Sequence, residues 1–265
     1  MLIYRRADGP ELKTRARFAQ EGSAMTTTNP AGPRAVRRAA TAVCVVAAPL
    51  LAGAARALVP SVTEANARQT FAAFQAHLGE ARAELAVAVA LPLVLPFFVL
   101  GLYRLSVRGA PVLAGAGCVL ALVGWEAVAF IWAGDALMYE LAARGGSAAV
   151  WSHFMANPAI RIMTLIFVVG HLAGTALLGI ALWRVLTVRL WAASAIVAGD
   201  FGHLAAHTIG SRGLDVAAFG LLAVGCAVAA RAIVRTPDDE WDLPPRGASV
   251  SSRLTGANQR APLPG

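Results

Sequence analysis

The chain has 265 residues, 57% of them hydrophobic and only 14% charged, with a mean hydropathy of +0.61; soluble domains carry roughly 25% charged residues. A soluble fold has no interior able to hide that much apolar surface, so the expected fold class is all-α: a polytopic membrane helix bundle of about six spans of ~20 residues. The net charge is +8, but the arginines are scattered at span ends and in the tails, with no basic face interleaved with aromatics. That excludes a nucleic-acid partner and leaves the lipid bilayer as the expected one.

Lys13 is the only lysine, and the Arg-, Ala-, Gly- and Val-rich composition points to a high-GC bacterial source. Residues 1–36 are polar and broken by Pro10, Pro30 and Pro33, without the apolar run of a signal peptide. They are expected to be a disordered cytoplasmic tail, and the run opened by Met25 has the look of the true translation start.

The first span is expected over about Ala39–Val59, kinked at Pro49 and ended by Pro60. Residues 61–83 carry Phe71, Phe74 and Leu78 on one helical face; this segment lies on the outer membrane surface or caps the spans. Span two covers about Glu84–Leu105, where Pro92 and Pro96 free backbone carbonyls that need neighbours or water and can line a cavity. Span three covers about Pro111–Ala133. A second outer segment from Asp135 to Asn157 leads to span four (Pro158–Trp183), span five (Leu190–Ile209) and span six (Leu214–Val234). The membrane domain thus occupies residues 37–235, and residues 236–265 form a disordered C-terminal tail too polar for a core of its own.

Arginines concentrate on one side of this topology, at Arg34, Arg37, Arg38, Arg104, Arg108, Arg184, Arg189, Arg231 and Arg235. The positive-inside rule then places both termini in the cytoplasm of a bacterial inner membrane. Tyr103, Trp183 and Trp191 at one level and Trp132, Tyr139 and Trp151 at the other fit two aromatic belts. Cys44, Cys118 and Cys226 are spaced as buried hydrophobes, without a CxxC pair. Span two behind Ala81-Arg82-Ala83 and span four behind Ile160-Arg161-Ile162 form a faint internal echo.

Five ionisable residues fall inside these runs: Glu126, His171, Asp200, His203 and His207. Such groups are expensive in lipid and mark function or specific pairing. Asp200, His203 and His207 at i, i+3 and i+7 share a stripe roughly 60° wide. His171 lies beside Gly170-x-x-x-Gly174, a pair of helix-packing glycines that lets another helix approach closely, whereas Glu126 joins the others by depth alone.

Several readings of this cluster are open. It is a hydrogen-bonded structural core, worth ~0.6 kcal/mol per bond in a bundle. Alternatively His171, Asp200, His203 and His207 ligate zinc in a membrane-embedded hydrolase, or His171 and His203 hold a haem axially as an electron carrier. The last reading is proton-coupled transport of a small solute through Glu126 and Asp200. Nothing in the sequence assigns a catalytic residue or a reaction, and association with a second copy or another membrane protein is open. Gly170 to Arg184, followed by Arg189-Leu190-Trp191 and the His203 region, resembles uncharacterised multi-pass integral membrane proteins of high-GC bacteria. That resemblance implies the multi-pass architecture and carries no activity.

Overall fold

The computed structural model describes residues 32–61 and 66–241; the expected start at Met25 and most of both tails lie outside these residues. The described chain is helical, without strands: α1 (Pro33–Leu58), α2 (Ala67–Ala76), α3 (Leu78–Ser106), α4 (Pro111–Ala127), α5 (Ala129–Ala143), α6 (Ala148–Met155), α7 (Pro158–Val185), α8 (Leu190–Ile209), α9 (Arg212–Arg235) and α10 (Asp238–Trp241). The boundaries have local causes. Pro33, Pro111 and Pro158 open α1, α4 and α7, where a missing N–H costs nothing. Asn66 and Asn157 accept backbone N–H groups at the starts of α2 and α7, and Gly210, at φ 72°, closes α8 in the left-handed conformation.

Five segments are long and apolar enough to cross a membrane: α1, α3, the run Pro111–Ala143, α7 and α9. The remaining long helix, α8, has 20 residues and falls outside that set because it carries Asp200, His203 and His207. Its outward face is nonetheless free of ionisable groups, with Trp191, Ser194, Ala198, Phe201 and Ala205 exposed while Asp200 is buried. Span three runs further than expected. A local break at Val128 separates α4 from α5, and the combined 33-residue run carries helix through Asp135, because no proline or glycine pair interrupts it there.

The six long segments close into a ring. Around it, α1 packs on α3, α3 on α4, α4 on α7, α7 on α8, α8 on α9, and α9 back on α1. The series α3–α1–α9–α8 and the pair α4–α7 make the extensive interfaces, and the α3/α4 and α7/α8 seams are lighter. The α4–α7 crossing depends on glycine: a methyl at Gly124 would fall inside the backbone of Gly170 and His171, and one at Gly174 inside that of Ala121. The Gly170/Gly174 groove is therefore filled by span three.

Short helices cap one end. Phe74 of α2 is buried with Met138 and Trp151, so α2 closes the bundle through its apolar face. Trp151 is also buried, its indole N–H donating to the Gly134 carbonyl at 3.1 Å, and it is a packing residue where a belt residue was expected; Trp183 and Trp191 remain about half exposed. Helix α3 is continuous through Pro92 and Pro96, neither of which lines the central cavity. All three cysteines are free, and two are buried.

Candidate functional site

A cavity of about 140 Å³ lies at the centre of the ring, and each of the six long segments contributes to its wall. Its size corresponds to about five waters at ~30 Å³ each. Most of the wall is apolar or aromatic, built from Leu91, Ile131, Phe167 and Phe219 among others. Its polar groups come from Arg56, Trp125, Trp132, Asp135, Thr164, His171, His203 and His207.

The outer part of this wall is a buried charge network. Arg56, in the last turn of α1, donates through Nε to Asp215 Oδ2 at 2.7 Å, and Asp215 is fully buried in the first turn of α9. The other carboxylate oxygen meets His203 Nδ1 at 2.6 Å, and Arg56 Nη2 lies 3.3 Å from His207 Nδ1. Three helices, α1, α8 and α9, are joined through one carboxylate. Glu84 of α3 is 2% exposed and within electrostatic reach of Arg56. Beside the network, Arg212 donates to the Val59 and Pro60 carbonyls at 2.6 and 3.0 Å, satisfying the end of α1.

These partners fix the imidazole roles. A guanidinium only donates, so His207 Nδ1 accepts and its proton sits on Nε2. A carboxylate paired with arginine only accepts, so His203 Nδ1 donates to Asp215. His171 Nδ1 lies 2.5 Å from the Phe167 carbonyl and must donate to it, leaving Nε2 as a lone-pair acceptor. The His171 ring stacks on Phe167 with centroids 4.2 Å apart and packs beside Trp125 at 4.9 Å.

Behind the cavity wall, His171 Nε2 faces Asp200 Oδ1 at 3.9 Å, both side chains being essentially inaccessible. Thr175, one turn along α7 from His171, faces the same carboxyl. None of these atoms, nor the second Asp200 oxygen, completes a hydrogen bond with protein, and the Trp125 indole N–H is likewise buried and unpaired.

The five residues singled out in the sequence therefore separate. His171 and Asp200 meet between α7 and α8, while His203 and His207 turn to Asp215 and Arg56. Glu126 is exposed on the outside of the ring, so its expected place in the cluster, and its role with Asp200 in proton loading, is corrected: residue 125 points inward, and one further residue turns the chain by ~100°. The proposed zinc ligands do not converge. His171 and His203 have ring centroids 6.3 Å apart, His203 and His207 6.5 Å, Arg56 occupies His207 Nδ1, and no group of three His, Cys, Asp or Glu side chains suited to a metal exists among the described residues. A haem between His171 and His203 finds only the 140 Å³ cavity, well below the roughly 300–1,000 Å³ of larger ligand pockets.

Arg56, Glu84, Trp125, Asp135, Thr175 and Asp215 complete the site without having stood out in the sequence. Asp215 reads as an ordinary acid in a first helical turn, and Arg56 as a last-turn base. Their only signal was a charge near the end of an apolar span. No family model, no curated protein and no solved structure matches this chain.

Proposed function

We propose that this chain is a six-helix protein of the bacterial cytoplasmic membrane, with both termini cytoplasmic, that binds a small uncharged molecule in its central cavity. Supporting the six-span reading, α8 at 20 residues is about 30 Å long, the thickness of a bilayer core, and its ionisable side chains Asp200, His203 and His207 turn inward. Supporting the orientation, α1 begins and α9 ends at the arginine-rich end of the ring, and the Arg56 network lies at the opposite end.

The observation that carries the binding reading is the unpaired Trp125 N–H, buried in the cavity wall. An indole can only donate, so the partner it lacks is an acceptor, and His207, whose Nε2 carries the proton, lines the same cavity. The site has no unbalanced positive charge, since Arg56 is matched by Asp215 with Glu84 in its field. The chemistry therefore fits a compact apolar body bearing a carbonyl-type oxygen, in preference to a carboxylate. The Arg56–Asp215–His203 network acts as the structural lock that holds this wall in place.

Binding of three probes with one body tests this: indane, 1-indanone and indane-1-carboxylate, titrated into the full-length protein in detergent. 1-Indanone should bind at least ~10-fold tighter than either of the others, the scale expected for one buried hydrogen bond, and Trp125→Phe should reduce that preference to about twofold. Tightest binding of the carboxylate, or no saturable binding of any probe, overturns the reading.

A further inference from the structure

Behind the solute cavity, four buried polar atoms gather without partners: His171 Nε2, Thr175 Oγ1 and both carboxyl oxygens of Asp200. Counting donors and acceptors shows what they lack. His171 Nδ1 is committed to the Phe167 carbonyl, so in the neutral ring Nε2 accepts. An ionised Asp200 would also only accept, and Thr175 would be the sole donor for three acceptors. The groups facing the carboxyl are His171 and Thr175 from α7, with Cys226 of α9 within its electrostatic field. Asp200 forms no ion pair with arginine among the described residues, and a bare carboxylate in such a place costs several kcal/mol or more.

One additional proton satisfies the set. In a site this buried the neutral acid–imidazole pair avoids the cost of an imidazolium–carboxylate pair, so the proton rests on Asp200. Its carboxylic O–H donates to His171 Nε2 after a modest turn about its soft χ2, and Thr175 donates to the other oxygen. The four atoms have essentially no surface open to a water molecule, and the 3.9 Å separation is shorter than the roughly 4.5 Å that a water spans at the bent angle of its two hydrogen bonds. A hard cation such as sodium prefers an all-oxygen shell, and here an imidazole nitrogen holds one side.

We infer that Asp200, His171 and Thr175 form a dry proton-binding site between α7 and α8, distinct from the solute cavity. The His171 ring lines the cavity while its Nε2 faces the carboxyl, so one side chain touches both sites. The site sits on one of the lighter seams of the ring.

Infrared spectra of the full-length protein, with aspartate 13C-labelled at its side-chain carboxyl, test the inference independently of Glu84. At neutral pH the wild type should show one aspartic-acid C=O band, slow to respond to deuterium exchange, and Asp200→Asn should abolish it. His171→Gln and Thr175→Val retain the acid and should shift the band, which keeps the test decisive if Asp200→Asn does not fold. Trp125→Phe should retain the band while losing 1-indanone preference, separating failure of this inference from failure of the binding reading. No labelled acid band in the wild type, a band that survives Asp200→Asn, or a band removed by added sodium overturns it.

Discussion

Replacing Asp215 by Asn should destabilise the protein severely, because one fully buried carboxylate serves both Arg56 at 2.7 Å and His203 at 2.6 Å. Removing one member of a buried pair typically costs 3–5 kcal/mol, mostly through the charge left behind. The Arg56 side chain is 21% exposed, so partial screening lowers the expectation to about 2–4 kcal/mol. At 2–4 °C per kcal/mol for a chain of this size, the melting temperature should fall by about 4–16 °C. A thermal ramp on detergent-solubilised protein, read by monodisperse recovery on size exclusion, measures the shift. Arg56→Met combined with Asp215→Leu removes both charges and should recover part of the loss, since an apolar replacement of a buried pair is often neutral while His203 Nδ1–H still loses its acceptor. A single mutant within ~0.5 kcal/mol of wild type, or a double mutant no better than the single, would refute the reasoning.

Two further substitutions probe the packing and the outlying carboxylate. Gly124→Ala should lower thermal stability by several degrees because its methyl would meet the backbone of Gly170 and His171, whereas Gly115→Ala, with nothing within 4 Å of the new methyl, should be neutral or stabilising by up to about 1 kcal/mol; equal effects in a parallel melt would dismiss the close α4–α7 approach. Glu126→Gln should shift stability by less than ~0.5 kcal/mol and leave 1-indanone affinity unchanged, because Glu126 points away from the cavity; a marked loss of binding would return it to the site.

Much of the architecture was legible in the linear chain. Apolar runs of bilayer length, prolines at helix starts, Asn66, Asn157 and Gly210 at boundaries, and the inward stripe of Asp200, His203 and His207 all express preferences set within a few residues. So did the Gly170/Gly174 groove, since the absence of side chains four residues apart is itself a local fact. The span-three boundary was missed because Val128 interrupts the helix so slightly that the chain resumes the same course through Asp135.

The division of the polar stripe was not legible. Asp200 and His203 share a helix face in any sequence reading, yet the first meets His171 of α7 and the second Asp215 of α9. A neighbour's identity depends on which helices adjoin in the ring, and helical periodicity reports only the direction in which a side chain leaves its own axis. Depth in the membrane grouped Glu126 with the others for the same reason, although rotation about α4 sends it outward beside the inward Trp125. The sequence alone thus determined a membrane-type helical bundle and the residues too polar to lie idle within it. Only the tertiary structure decided which of those charges neutralise one another, because Arg56 and Asp215 are 159 positions apart and become partners solely through the packing of α1 against α9.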